Sequence, residues 1–284
     1  MNEHQETALS RRSAEGLAAK RCTVPKGGTL APTLATWALA SLGMFLASAV
    51  PSVVAAAPFE DTMAQRTLAC TACHGPQGRA APDGYYPRLA GKPAGYLYNQ
   101  LLNFREGRRH YGLMTGLIEP LSDAYLLEIA QYFSSLEVPY PAPLPSQAPA
   151  AVLRLGEQLV TQGDASRKLP ACVQCHGQAM TGVAPQIPGL LGLPRDYLNA
   201  QLGAWKAGQR RAHAPDCMQD VVSRLSLEDI NAVASWIAAQ PLPANTHPAA
   251  SLPAPAPGSS TLDCGSASLP ASGMPGMAGT KAHK

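Results

Sequence analysis

The sequence predicts an all-α protein built from two copies of one small domain. Three observations carry this: the chain repeats itself at an offset near 102 residues, its apolar positions fall at helical spacing in both copies, and no convincing alternating strand pattern appears. A proline-rich stretch separates the copies.

The chain has 284 residues, enough for two domains that each bury a core. Only 14% of the residues are charged, and the formal net charge is +3. Residues 58–140 hold seven Lys/Arg against eight Asp/Glu, and residues 151–241 hold eight against seven. Such weak and scattered charge excludes nucleic acid as the main partner.

In chain order, the first segment is residues 1–57. Basic residues Arg11, Arg12, Lys20, Arg21 and Lys26 precede an apolar run from Leu30, and no charge follows until Glu60. The run ends in Ala55-Ala56-Ala57, small residues suited to signal-peptidase cleavage. It is also long enough for residues 30–50 to act as an uncleaved membrane tether. Both readings imply export to the periplasm, either soluble after cleavage or anchored to the inner membrane.

Residues 58–138 form copy one. Tyr96, Leu97, Gln100, Leu101 and Phe104 share a helix face opening after Pro93, and Ser122 is a candidate N-cap for a last helix with Leu126, Ile129, Ala130 and Phe133 on one side. Residues 139–150 are the linker, with five prolines that favour extended, semi-rigid geometry. Residues 151–241 form copy two. There Tyr197–Trp205 repeats the first helix, and Ser226 with Asp229 has the form of a capping box before Ile230, Val233, Ala234 and Ile237. Residues 242–284 are rich in Pro, Ala, Ser and Gly and read as a disordered tail.

The repeat is dense. Cys70/Cys172, Cys73/Cys175 and His74/His176 keep an offset of 102, Pro87/Pro188 through Gly107/Gly208 keep 101, and Met114/Met218 through Tyr132/Trp236 keep 104.

The chemistry sits on these matched positions. Cys70-Thr71-Ala72-Cys73-His74 and Cys172-Val173-Gln174-Cys175-His176 are two Cys-x-x-Cys-His strings. Two thiols about one helical turn apart reach two vinyl groups of one porphyrin, and the next imidazole becomes the iron's proximal ligand. A zinc knuckle or redox dithiol is the alternative for a single Cys-x-x-Cys, but a zinc site would need another Cys or His pair nearby in its own copy, and both strings end in His on matched positions of the repeat. The expected cofactors are two covalently bound haem c groups, whose propionates would make both halves more acidic.

Met114 and Met218 each lie seven residues before a Leu-Ser pair, in what reads as the loop entering the last helix. Their equivalence marks them as the sixth ligands. His/Met ligation closes the iron to substrate and favours electron transfer over catalysis. His110, His213 and Cys217 are rivals without an equivalent in the other copy. Pro87 and Pro188 follow their histidines by 13 and 12 residues; each is either a turn before the next helix or the carbonyl that orients the histidine. Cys217 and Cys264 are a candidate disulfide. Met274, Met277 and His283 suggest at most a weak copper site in a disordered tail.

Each copy resembles a class I cytochrome c domain, and the tandem resembles the cytochrome c-four family of periplasmic dihaem cytochromes. The matching strings are Tyr-Pro-Arg-Leu-Ala-Gly-Lys at 86–92, Gln-x-x-x-Phe-Arg-x-Gly-x-Arg at 100–109, and Met114 with its following Leu-Ser-Asp, within about residues 60–240. The resemblance implies His74/Met114 and His176/Met218 ligation, with haems facing each other across the domain interface. It also favours the carbonyl role for Pro87 and Pro188. Family members pass electrons from the respiratory chain to terminal oxidases or other reductases, so the expected partners are a respiratory complex or dehydrogenase as donor and a terminal oxidase or reductase as acceptor. The chain therefore reads as an electron-transfer protein, not an enzyme; a dehydrogenase-bound cytochrome subunit and a dihaem peroxidase are the rivals. Copy two departs from the pattern at Gly189, where copy one has Arg88, and at Cys217, directly before Met218.

Overall fold

The computed structural model describes residues 60–81, 84–143, 145–253 and 263–270. The expected signal or tether at 1–57 and the Met274, Met277 and His283 cluster lie outside the described residues.

Copy one contains α1 (Met63–Arg66), α2 (Leu68–His74), α3 (Ala94–Arg105), α4 (Gly112–Ile118) and α5 (Asp123–Ser135). Copy two contains α6 (Ala150–Thr161), α7 (Cys172–His176), α8 (Arg195–Lys206), α9 (Cys217–Ser223) and α10 (Leu227–Ala238). The all-α expectation holds. One exception is a two-residue pairing, β1 (Gly182–Val183) antiparallel to β2 (Ile187–Pro188). Two residues are too few to leave an alternating pattern in a sequence.

Each copy has its own apolar core. In copy one, α3 packs on α5 through Leu97, Tyr98, Leu102, Leu126, Ala130 and Phe133. In copy two, α10 crosses α6 and α8, burying Leu159, Val160, Leu198, Ile230, Val233 and Ile237. The α6–α10 crossing depends on Gly156, where a Cβ would stand 2.2 Å from the Ala232 carbonyl oxygen. Only a residue without a side chain lets the two backbones approach this closely.

The helix starts follow the sequence reading. Pro93 and Pro194 precede α3 and α8. Ser122 Oγ accepts from Tyr125 N at 3.3 Å. Ser226 forms the full capping box: Asp229 N donates to Ser226 Oγ at 3.0 Å, and Ser226 N donates to Asp229 Oδ2 at 2.8 Å. Asp229 also pairs with Arg167 at 2.6 Å, tying α10 to the turn before α7.

The tail requires a correction, because residues 242–253 and 263–270 are placed against the body rather than free. Ala249 N donates to Gly182 O and Ala184 N to Ala249 O, extending the small β pair. Cys264 is disulfide-bonded to Cys217, as expected. Composition alone suggested disorder because the anchors are few and small: backbone groups, Cys264, Gly265, Ser266 and Ala267, with Leu242 at the start of the segment. Residues 254–262 and 271–284 lie outside the described residues.

Candidate haem-binding sites

The two Cys-x-x-Cys-His strings lie on α2 and α7, one turn of helix placing both thiols and the imidazole on one side. A glycine ends each helix in a positive-φ conformation. At Gly75 (φ 74°) a Cβ would meet Ala80 O at 2.4 Å, so the chain turns away from His74 only with glycine there. Cys70, Cys73, Cys172 and Cys175 are not disulfide-bonded.

His74 and His176 are buried, and each ring is fixed from behind. His74 Nδ1 donates to Pro87 O at 2.8 Å, and His176 Nδ1 donates to Pro188 O at 2.8 Å. These bonds resolve the two readings of the prolines: both carbonyls orient a histidine. Each bond leaves Nε2 available, in the tautomer that ligation requires. Burial lowers both imidazole pKa values, the carbonyl bonds opposing it in part, so the neutral form is favoured.

Met114 and Met218 line the same cavity of about 2520 Å³ as the four cysteines and both histidines. They sit within α4 and α9, not in loops as expected. Seven-residue helices carry too short a periodic pattern to stand out from a loop. Of the rival ligands, His213 Nε2 takes a bond from Arg108 Nη2 at 3.0 Å, Cys217 is in the disulfide, and His110 is exposed. Among the described residues, no group of three or more His, Cys, Asp or Glu gathers to hold a bare metal ion.

The copies meet in a pseudo-symmetric square that the sequence reading missed. Arg109 donates to Gln100 Oε1 at 2.9 Å and across to Gln201 Oε1 at 2.8 Å. Arg210 mirrors it, reaching Gln201 Oε1 at 2.7 Å and Gln100 Oε1 at 3.0 Å. Each guanidinium stacks on an aromatic ring of its own copy, Arg109 on Phe104 and Arg210 on Trp205. The signal was present, since Arg109/Arg210 keep the same 101-residue offset as Gln100/Gln201.

The square lines the cavity with positive charge. Burial, with Arg109 adding repulsion, pulls the Arg210 pKa down to about 10, and its Nε has no partner among the described residues. Two guanidiniums bonded to neutral amides call for negative charge. A porphyrin bearing two carboxylates fits that demand. With the unpaired cysteine thiols and the pre-oriented histidines, the donor set fits one haem c in each copy.

No protein-family model matches the chain. It is 42% identical over 206 residues to the thiosulfate dehydrogenase electron acceptor of Thiomonas intermedia strain K12, covering 72% of this chain and 90% of that protein. It is 33% identical over 174 residues to cytochrome c4 of Pseudomonas aeruginosa, covering 61% of this chain and 84% of that protein. The crystal structure of reduced recombinant cytochrome c4 from Pseudomonas stutzeri superimposes with a TM-score of 0.54 at 32% identity, covering 62% of this chain and 96% of that one. The chain belongs to the cytochrome c4 family, dihaem c-type cytochromes that carry electrons.

Proposed function

We propose that the chain is a periplasmic electron shuttle, taking electrons from a thiosulfate-oxidising dehydrogenase and delivering them to a terminal oxidase or reductase. The observation that carries the shuttle reading is the duplicated His–Pro carbonyl pair, 2.8 Å in each copy, facing a cavity that also holds a matched methionine. The choice of donor is supported by the name of the 42%-identical relative.

In this reading Cys70 and Cys73 hold one haem, and Cys172 and Cys175 the other. His74 with Met114 and His176 with Met218 are the axial pairs. The bound iron supplies reversible one-electron chemistry. The protein's part is to keep both axial positions filled, to fix each histidine through Pro87 or Pro188, and to balance charge at the interface through Arg109 and Arg210. The working domains are 58–138 and 151–241, joined by the linker at 139–150. Residues 1–57 supply export, by a cleaved signal or a tether at 30–50. An oxidising compartment is consistent with the Cys217–Cys264 disulfide. Among the described residues no helix is long and apolar enough to cross a membrane.

The test is anaerobic stopped-flow mixing of the oxidised holoprotein with thiosulfate dehydrogenase and thiosulfate. Rapid reduction of both haems is expected. No reduction, under conditions where a generic c-type acceptor is reduced, contradicts the assigned donor. Co-elution with the dehydrogenase at sub-micromolar concentration would make the chain a bound subunit instead. Steady peroxide turnover would make it an enzyme.

A further inference from the structure

The C-terminal segment 263–270 touches both copies, and its contacts concentrate beside Met218. We infer that it is a strap that positions Met218, so that the Cys217–Cys264 bond holds the second haem site in its low-spin, methionine-ligated form. The inference rests on Met218 being an axial ligand.

Three sets of contacts build the strap. At one end Cys264 is bonded to Cys217, the first residue of α9 and the neighbour of Met218. In the middle, Gly265 N donates to Pro215 O at 2.9 Å, and a Cβ on Gly265 would stand 2.2 Å from Ala214 O and 2.6 Å from His213 O. The segment therefore lies flat on the loop that leads into α9. At the other end Asn99, buried on α3 of copy one, donates through Nδ2 to Ser266 Oγ at 3.0 Å and accepts from Ala267 N at 2.9 Å. Ala267 also packs on the copy-one core. Asp263, Cys264 and Gly265 form part of the wall of the haem cavity.

The need for a strap follows from the size of α9. Seven residues make too few internal hydrogen bonds for a helix to hold its own orientation. Its start is tied by Asp216, which accepts from Gln219 N at 3.0 Å, Ala212 N at 2.6 Å and Trp205 Nε1 at 3.3 Å. The disulfide adds a covalent tie one residue from the thioether ligand. The device is one-sided: Leu113 stands where copy two has Cys217, and Ala200 where copy one has Asn99. Releasing α9 would let Met218 exchange for water, and a harder oxygen ligand favours ferric iron and a lower potential.

The test compares wild-type holoprotein with Cys217→Ser/Cys264→Ser, which leaves neither disulfide partner behind as a thiol beside Met218, and with Asn99→Ala, which keeps every cysteine and cuts only the far end of the strap. The readouts are the near-infrared methionine–Fe(III) band per haem and the two midpoint potentials. In the serine pair, the band is expected to fall to about half, with one potential lowered and the other unmoved. Asn99→Ala should shift the same haem in the same direction by less. Gly265→Val provides a third variant should the serine pair fail to mature. Full band intensity and two unchanged potentials in every variant obtained would overturn the inference. A wild-type spectrum with only one methionine signature would place the fault in the ligation reading and take the inference with it.

Discussion

The two copies share a histidine clamp and an arginine–glutamine pair, and differ in what lies directly against each clamp. His74–Pro87 and His176–Pro188 have the same 2.8 Å bond. Around His74 stand aromatic residues: Tyr86 lies edge-on at 6.0 Å between ring centroids and bonds Tyr111 through their hydroxyls at 3.1 Å. The position equivalent to Tyr86 in copy two is Ile187, and no tyrosine, phenylalanine or tryptophan stands between Arg210 and Met218 to match Tyr111. Leu113 and Leu117 flank Met114 with 70% and 41% exposure, whereas Cys217 and Val221 flank Met218 half-buried, with the strap beside them. Duplication kept the histidine–carbonyl bond, and divergence acted on what surrounds it.

A second asymmetry crosses the interface. Arg88 is buried against the carbonyls of Ala90, Val138 and Pro139 and stacks on Tyr140, clamping the linker to copy one. Gly189 takes its place in copy two and offers its carbonyl to Lys92 Nζ at 2.7 Å. Lys92 is fully buried, no carboxylate pairs with it among the described residues, and its pKa is pulled down to about 7 by burial, with Arg88 adding repulsion. Leu193 occupies the equivalent position in copy two.

The largest effect expected from breaking the comparison is at the ligands. Met114→Leu and Met218→Leu keep the side-chain volume and remove the sulfur. Each should lose about half of the near-infrared methionine–Fe(III) band and lower one midpoint potential, leaving the other haem intact. Next is Gly156→Val, which drives a side chain into the Ala232 carbonyl at the α6–α10 crossing. It should destabilise copy two by about 3 kcal/mol in denaturant unfolding and split the transition if copy one unfolds independently.

Lys92→Met follows, with a pH signature. The folded pKa, about 7, lies below the ordinary lysine value, so the unfolded chain binds more protons between roughly pH 7 and 10.5. Wild-type stability should therefore rise relative to the variant as pH increases through that window. Below pH 7 both states are protonated and the whole cost of burial remains, so the variant should be more stable there by about 1–3 kcal/mol. The smallest effect separates the caps: Ser226→Ala breaks a reciprocal, partly buried box and should cost about 1 kcal/mol, and Ser122→Ala, on an exposed single bond, about 0.5 kcal/mol by thermal unfolding.

These regions also differ in how legible they were. The Cys-x-x-Cys-His strings, the matched methionines, the helical faces and the Ser226 box are local patterns, and the repeat doubled each signal. The Arg–Gln square was visible only as a continued offset, because what those side chains do depends on the other copy being present. The packing of residues 242–253 and 263–270 was not legible, since backbone hydrogen bonds and a few small side chains carry no compositional mark. Lys92 carries no mark of its own within its string, and the carbonyl it bonds, Gly189 O, comes from the other copy.

Two histidine–methionine haem sites on one chain make a sharp spectroscopic demand. The most direct measurement is a redox titration of the holoprotein followed by optical and magnetic circular dichroism, alongside haem quantification. The expected result is two covalent haems per chain, two one-electron steps, and a methionine–Fe(III) signature of matching intensity for each. One haem per chain, or a ferric site lacking the methionine signature at neutral pH, would contradict it.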